Sequence, residues 1–155
     1  MQQPFPSTVV YRHRKENLKK CSLRGLETRE DMCFYTYPRE SLPVVNGYIL
    51  LTLNAPPLTK EDSDRGLLIL DGTWRYAEKM MQRLDPSMEL VERSLPSEIK
   101  TAYPRKQEDC SDPERGLASI EAIYAAYYIM GRDVEGLLDH YYWGDDFLEL
   151  NRSVL

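Results

Sequence analysis

The chain has 155 residues, of which 29% are charged, and a net charge of −5. That length suits one domain with its own core and requires neither disulfide nor metal to fold. The acidity argues against a protein held to nucleic acid by overall charge alone.

Cysteines Cys21, Cys33 and Cys110 are widely spaced and form no Cys-x-x-Cys pair, so they read as reduced thiols rather than a metal site. Met1 to Ser7 carry neither the basic nor the apolar part of a signal peptide. No apolar run approaches the ~20 residues that span a bilayer. A soluble, cytoplasmic protein without a membrane partner is expected.

Thr8 to Tyr11 reads as a first strand. It runs into a basic segment: residues 11–29 hold Arg12, Arg14, Lys15, Lys19, Lys20, Arg24 and Arg29 against Glu16 and Glu27. A local stripe of this kind neutralises phosphates even on an acidic protein, and a solvated charged loop is the plainer alternative. Tyr11, Phe34, Tyr35 and Tyr37 interleave aromatic rings with it, a pattern compatible with RNA contact.

Gly47 to Leu53 is a second, very apolar strand, broken by Ala55-Pro56-Pro57. Thr59 opens a short turn through Glu61 and Asp62. Gly66 starts a third strand, which ends on Asp71-Gly72. Trp74, Ala77, Met81 and Leu84 then recur at helical spacing until Asp85-Pro86 stops the pattern. Leu90 and Val91 suggest a fourth strand.

Residues 99–116 read as a long irregular loop. A helix is predicted from Ser119, with Glu121 in its first turn, an apolar face of Ile120, Ile123, Tyr124 and Tyr127, and Gly131 as its stop. Another is predicted over Asp133 to Tyr142. Alternating strands and helices predict an α/β fold, a single layered domain over residues 1–155 with a mainly parallel sheet.

An acid, a hydroxyl and an indole (Asp71, Thr73 and Trp74) therefore follow the carboxyl end of a strand, where open α/β sheets place their ligands. Helix capping and ordinary core packing would account for the same residues. The string Asp71-Gly72-Thr73-Trp74, with Ala77, Lys79 and Met80, resembles the Asp-x-Thr-Trp signature of the DTW-domain family of RNA aminocarboxypropyltransferases.

Both ends of the chain resemble the sister family that modifies small-subunit ribosomal RNA. These are His13 through Lys19-Lys20-Cys21-Ser22 to Leu26, and Trp143-Gly144 with Phe147-Leu148-Glu149-Leu150-Asn151. The matches at residues 13–26, 47–84 and 116–151 occur in order. The stretch Ile99 to Arg105 departs from the ribosomal pattern toward the tRNA one, and the cysteine-rich metal site frequent in the tRNA family is absent.

The resemblance implies a fold related to the knotted SPOUT-type RNA methyltransferases, with a trefoil knot near the C-terminal third. It implies transfer of the 3-amino-3-carboxypropyl group from S-adenosylmethionine to N3 of a uridine or pseudouridine in small-subunit ribosomal RNA, without a metal. Transfer to tRNA, a knotted-fold RNA methyltransferase and a non-catalytic ribosome-assembly RNA-binding module are the alternatives.

By the same resemblance Asp71 is the base or orienting group, and Trp74 and Ala77 wall off the methyl end of the cofactor. Ser22 meets the methionyl carboxylate. Leu51, Leu53, Leu95, Leu117 and Ala122 surround the adenosine, and Ala118 and Ser119 help read the adenine edge. In Leu53 the chain departs from a proline usual in the ribosomal family. Arg12, Arg14, Lys15, Lys19 and Lys20 are the expected RNA contacts, and a monomer is the preferred state.

Overall fold

A computed structural model describes residues 5–14, 23–72, 74–103 and 117–155; Ser22, Lys15, Lys19, Lys20 and the side chain of Trp74 lie outside what is described. Its five strands are β1 (Thr8–His13), β2 (Met32–Tyr37), β3 (Ile49–Leu51), β4 (Leu67–Asp71) and β5 (Val91–Arg93). They form one sheet in the order β2-β1-β4-β3-β5, every pair parallel. The helices are α1 (Trp74–Gln82), α2 (Ser119–Met130) and α3 (Gly144–Leu150). The expected α/β fold with a parallel sheet is therefore present.

Strand parity decides what each face of the sheet carries. Val10, Leu67 and Ile69 pack into a core with Ile120, Ile123, Ala126 and Tyr127 of α2. On the same face the Thr8 hydroxyl lies 2.6 Å from the Tyr127 hydroxyl. Tyr11 and Tyr37 pack on the other face against Met80 of α1, with Leu70, Tyr76 and Leu84 around them. Both faces are thus covered, as a parallel sheet requires.

Four expectations need correction. Met32–Tyr37 is a full edge strand, so Phe34, Tyr35 and Tyr37 belong to the sheet rather than to an open aromatic stripe. Its aromatic and β-forming residues between Asp31 and Pro38 were the available signal. In α1 the buried methionine is Met80, while Met81 is 41% exposed, so the apolar face is turned one residue from the one read.

The helix expected over Asp133 to Tyr142 is instead a run of turns. Gly136 takes φ +82°, and the Asp133 carboxylate accepts from the Glu135 N–H, a local bond that competes with helix formation. The last helix begins only at Gly144. The strand expected over Gly47 to Leu53 is ladder-paired over Ile49–Leu51 alone.

The helix from Ser119 stops where expected. Gly131 adopts φ +80°, and its N–H donates to the carbonyls of Tyr127 and Tyr128. A left-handed position at a helix end suits glycine. Among the described residues no helix is long and apolar enough to cross a membrane.

Candidate active site

In the register of β1 and β4, Arg12 is opposite Asp71, and parity turns both side chains to the α2 face. Arg12 Nε donates to Asp71 Oδ2 at 3.3 Å. The Ser119 hydroxyl, from the first turn of α2, donates to Asp71 Oδ1 at 2.8 Å. Asp71 is 3% exposed and Arg12 8%, so the carboxylate is held at both oxygens in a nearly dry setting. Arg12 also reaches Glu27 Oε2 at 3.3 Å and lies 4.8 Å from the Phe34 ring centre.

Arg12 was expected on an RNA-facing stripe. The structure turns it inward instead, because a charge on the core-facing parity of a central strand must find a buried partner. Arg14, one residue past β1, is exposed. Burial favours a raised pKa for Glu27. The backbone N–H groups of Glu27 and Gly25, together with Arg12, outweigh it and hold the carboxyl below its ordinary value. Among the described residues, the Arg12 guanidinium is thus shared between the carboxylates of Asp71 and Glu27.

Around the clamp, the segments that leave the carboxyl ends of the strands are laced together. Thr52 N–H donates to the Arg93 carbonyl, Leu58 N–H to the Ser94 carbonyl and the Ser94 hydroxyl to the Ala55 carbonyl. Leu51, Leu95 and Leu117 are half-buried against the same core cluster, of which Ala118 is a buried member. Leu53, beyond the end of β3, is 37% exposed. Ala77 and Ala122 are half-buried. Ile123 is fully buried and belongs to the core. The described candidates Asp71, Ser119, Leu51, Leu53, Leu95, Leu117 and Ala118 thus lie at or beyond the carboxyl ends of β3, β4 and β5 or at the start of α2.

Two residues that organise this edge were not legible as such. Glu121 is fully buried. Its Oε1 accepts from Ala118 N–H at 2.8 Å and from the Thr101 hydroxyl at 2.6 Å. Its Oε2 accepts from Ala102 N–H at 2.8 Å and the Tyr141 hydroxyl at 2.9 Å. Asn151, 1% exposed, exchanges two bonds with the Lys100 backbone at 2.7 and 2.9 Å and donates to the Phe147 carbonyl. Residues 100–102 are therefore pinned to α2 on one side and α3 on the other.

His13, at the end of β1, is 6% exposed and stacked on Tyr76 with centroids 3.8 Å apart. Among the described residues no three His, Cys, Asp or Glu gather to hold a metal ion.

A cavity of about 750 Å³ lined by Phe5, Arg29, Asp31, Ser63, Met130 and Arg132 lies elsewhere. The Asp31 carbonyl pairs with Thr8 N–H at the amino end of β1, four residues and about 13 Å from Arg12 along the strand. Open parallel sheets bind ligands at the other end.

Burial tends to raise the Asp31 pKa, but bonds from Arg29 at 2.9 Å to both carboxylate oxygens reverse this and leave it lowered. A depressed carboxylate contributes stability above its unfolded value, about 3.9, and that contribution is lost as pH falls through the folded value. Asp31→Asn is therefore expected to flatten the fall of Tm below about pH 4, measured by thermal melts from pH 7 to 2. An acid limb identical to wild type would remove Asp31 from the account.

The family model described as the DTW domain matches residues 1–144. A 16S rRNA aminocarboxypropyltransferase of Methanosarcina mazei is 31% identical over 102 residues, covering 61% of this chain and 53% of that protein. The protein of the same description from Thermoplasma acidophilum is 30% identical over 149 residues, covering 92% of this chain and 83% of the relative. The chain spans about half the length of the Methanosarcina relatives it matches.

Among solved structures it is similar to the SAM-dependent rRNA:acp-transferase Tsr3 from Vulcanisaeta distributa. The TM-score is 0.72 at 25% identity, over 96% of this chain and 80% of that one. The likeness read from the three sequence blocks is upheld.

Proposed function

The chain belongs to the DTW domain family, and on that premise we propose that it transfers the 3-amino-3-carboxypropyl group of S-adenosylmethionine to N3 of a uridine or pseudouridine in small-subunit ribosomal RNA. The observation that carries this reading is the Asp71 carboxylate, held between Arg12 and Ser119 at the carboxyl end of central strand β4, where the DTW string begins. The relatives are named for the same chemistry.

In this reaction N3 forms a bond to the side-chain carbon next to sulfur. The carbon–sulfur bond breaks with its electron pair going to sulfur, which leaves as the neutral thioether methylthioadenosine, and the N3 proton passes to water. The sulfonium is already a good leaving group, so the protein contributes mainly by positioning. Asp71, with both oxygens engaged, acts as a fixed anion toward the sulfonium and the amino group rather than as a mobile base.

Leu51, Leu53, Leu95, Leu117, Ala118 and Ala122 supply an apolar wall for the adenosine, with Ser119 tied to Asp71. Ser22, Trp74 and Ala77 complete the pocket around the methionyl end. Arg14, Lys15, Lys19 and Lys20 meet phosphate. A single domain over residues 1–155 belongs to this reading too, supported by the one parallel sheet in the order β2-β1-β4-β3-β5, and so does the knotted path, which rests on the family resemblance alone.

The test supplies S-adenosylmethionine labelled either in the carboxyl group or in the methyl group, with small-subunit ribosomal RNA and tRNA as separate acceptors. Carboxyl label entering ribosomal RNA, with no methyl label, is the expected result. Methyl label would make the protein a methyltransferase. Carboxyl label entering tRNA alone would overturn the substrate, and label in neither would leave a binding module.

A further inference from the structure

Between α2 and α3, Tyr141 is buried in the core and Trp143 packs against it, whereas Tyr142 is absorbed neither by the core nor by the Asp71 clamp. Tyr142 is 87% exposed. Its ring meets Trp143 edge to face, with centroids 5.0 Å apart and planes at 76°. Half-buried Trp143 is braced in turn by Tyr103 at 5.2 Å and Tyr141 at 6.0 Å, both edge to face. An exposed phenol on a rigid indole is a stacking surface held in one place, so little ordering entropy is lost when a flat ligand covers it.

Two sets of contacts locate this surface. Tyr141 donates to Glu121, which also holds the N–H of Ala118, and the next residue, Ser119, donates to Asp71. The aromatic cluster and the candidate catalytic carboxylate are therefore fastened to the same first turn of α2. On another side the exposed His140 packs directly on Gly25, so closely that a β-carbon there would lie 2.3 Å from the imidazole Cδ2. Gly25 is within the basic segment 11–29, between the exposed Arg14 and Arg24 on one side and Arg29 on the other. Exposed Asp145 and Asp146 in the first turn of α3 follow the cluster. They repel phosphate there and leave the aromatic face to a base.

We propose that Tyr142, braced by Trp143, is a stacking platform for one unpaired base of the RNA substrate, flanking the modified nucleotide, while exposed Arg24, next to the Gly25 on which His140 packs, meets a phosphate beside it. Single-stranded RNA is recognised in this way, by aromatic faces next to a cationic track. The proposal rests on the RNA-transfer reading above and adds a contact residue to it.

The experiment measures binding of an unpaired small-subunit ribosomal RNA fragment across a salt series for the wild type, Tyr142→Ala, Tyr142→Phe and Arg24→Gln. Transfer activity, S-adenosylmethionine affinity and Tm are recorded alongside. Tyr142→Ala is expected to lose RNA affinity by about 5- to 100-fold with an unchanged slope of log K against log salt. Its cofactor affinity and Tm should match the wild type, since the side chain is almost fully exposed.

Tyr142→Phe should retain binding, and Arg24→Gln should lower the salt slope by about one. Wild-type RNA affinity in Tyr142→Ala, or a reduced slope in that variant, would overturn the platform while the transfer reading stands. A wild type that transfers no aminocarboxypropyl group to any RNA would overturn the reading and the platform together.

Discussion

Asp71→Ala is expected to abolish transfer and to lower folding stability by about 3 kcal/mol, the low end of what breaking a buried ion pair costs. The physical reason is the partner left behind. The Arg12 side chain is only 10% exposed, and its other carboxylate neighbour among the described residues, Glu27, is 41% exposed and correspondingly screened. Phe34 continues to face the guanidinium, which keeps the loss at the lower figure.

Asp71→Asn separates charge from shape. The amide preserves volume and an oxygen for the Ser119 hydroxyl, so stability should fall less than in the alanine variant, while transfer should drop about 10²- to 10³-fold if a fixed anion is what the reaction uses. The double variant Arg12→Met/Asp71→Leu should regain much of the lost stability without regaining transfer, since an apolar pair commonly matches a buried ionic one. Urea melts and carboxyl-label incorporation measure both. An Asn variant with wild-type transfer would show that the charge of Asp71 is not used, and an Ala variant of wild-type stability would show that the clamp contributes nothing to the fold.

Glu121→Ala should destabilise the protein by at least about 3 kcal/mol, because hydrogen bonds to a charged group contribute about 1.5–3 kcal/mol each and buried donors left unmet carry their own cost. Four donors converge on this fully buried carboxylate: the Ala118 and Ala102 N–H groups and the hydroxyls of Thr101 and Tyr141.

The loss should also reach the site. Residues 101–102 would come free of α2, and the first turn of α2, which carries Ser119 against Asp71, would lose its own N-terminal bond. Weaker S-adenosylmethionine binding at temperatures where the variant is still folded is therefore expected. Glu121→Gln should give an intermediate stability, since its NH2 group confronts donors where the carboxylate accepted. An unchanged urea midpoint for Glu121→Ala would refute the hub, and cofactor affinity equal to wild type would confine Glu121 to stability alone.

The chain's own pattern established a good part of this. The run Leu67 to Leu70 closing on Asp71, the helix from Trp74 and the helix from Ser119 to Gly131 were visible because each rests on local rules: an apolar run bounded by glycine and acid, helical spacing, and a left-handed glycine at a helix end. The family was visible in the Asp71-Gly72-Thr73-Trp74 string and in the order of the flanking blocks.

The tertiary structure alone decided the partners. Arg12 looked like one cation of a basic stripe, but its place opposite Asp71 depends on β1 and β4 being neighbours, 59 residues apart in sequence. Glu121 carried a helix-start signal, but its bonds to Thr101 and Tyr141 come from segments 20 residues away on either side. The stretch from Asp133 to Tyr142 had a helical composition, yet the chain turns repeatedly there, and Tyr142 ends on the surface beside Trp143. Local propensity and spacing specify most of the elements, but not all of them. Which charges are buried together, and which ring is left exposed, follow from strand order and packing, where desolvation penalises every unpaired group and so selects the pairs.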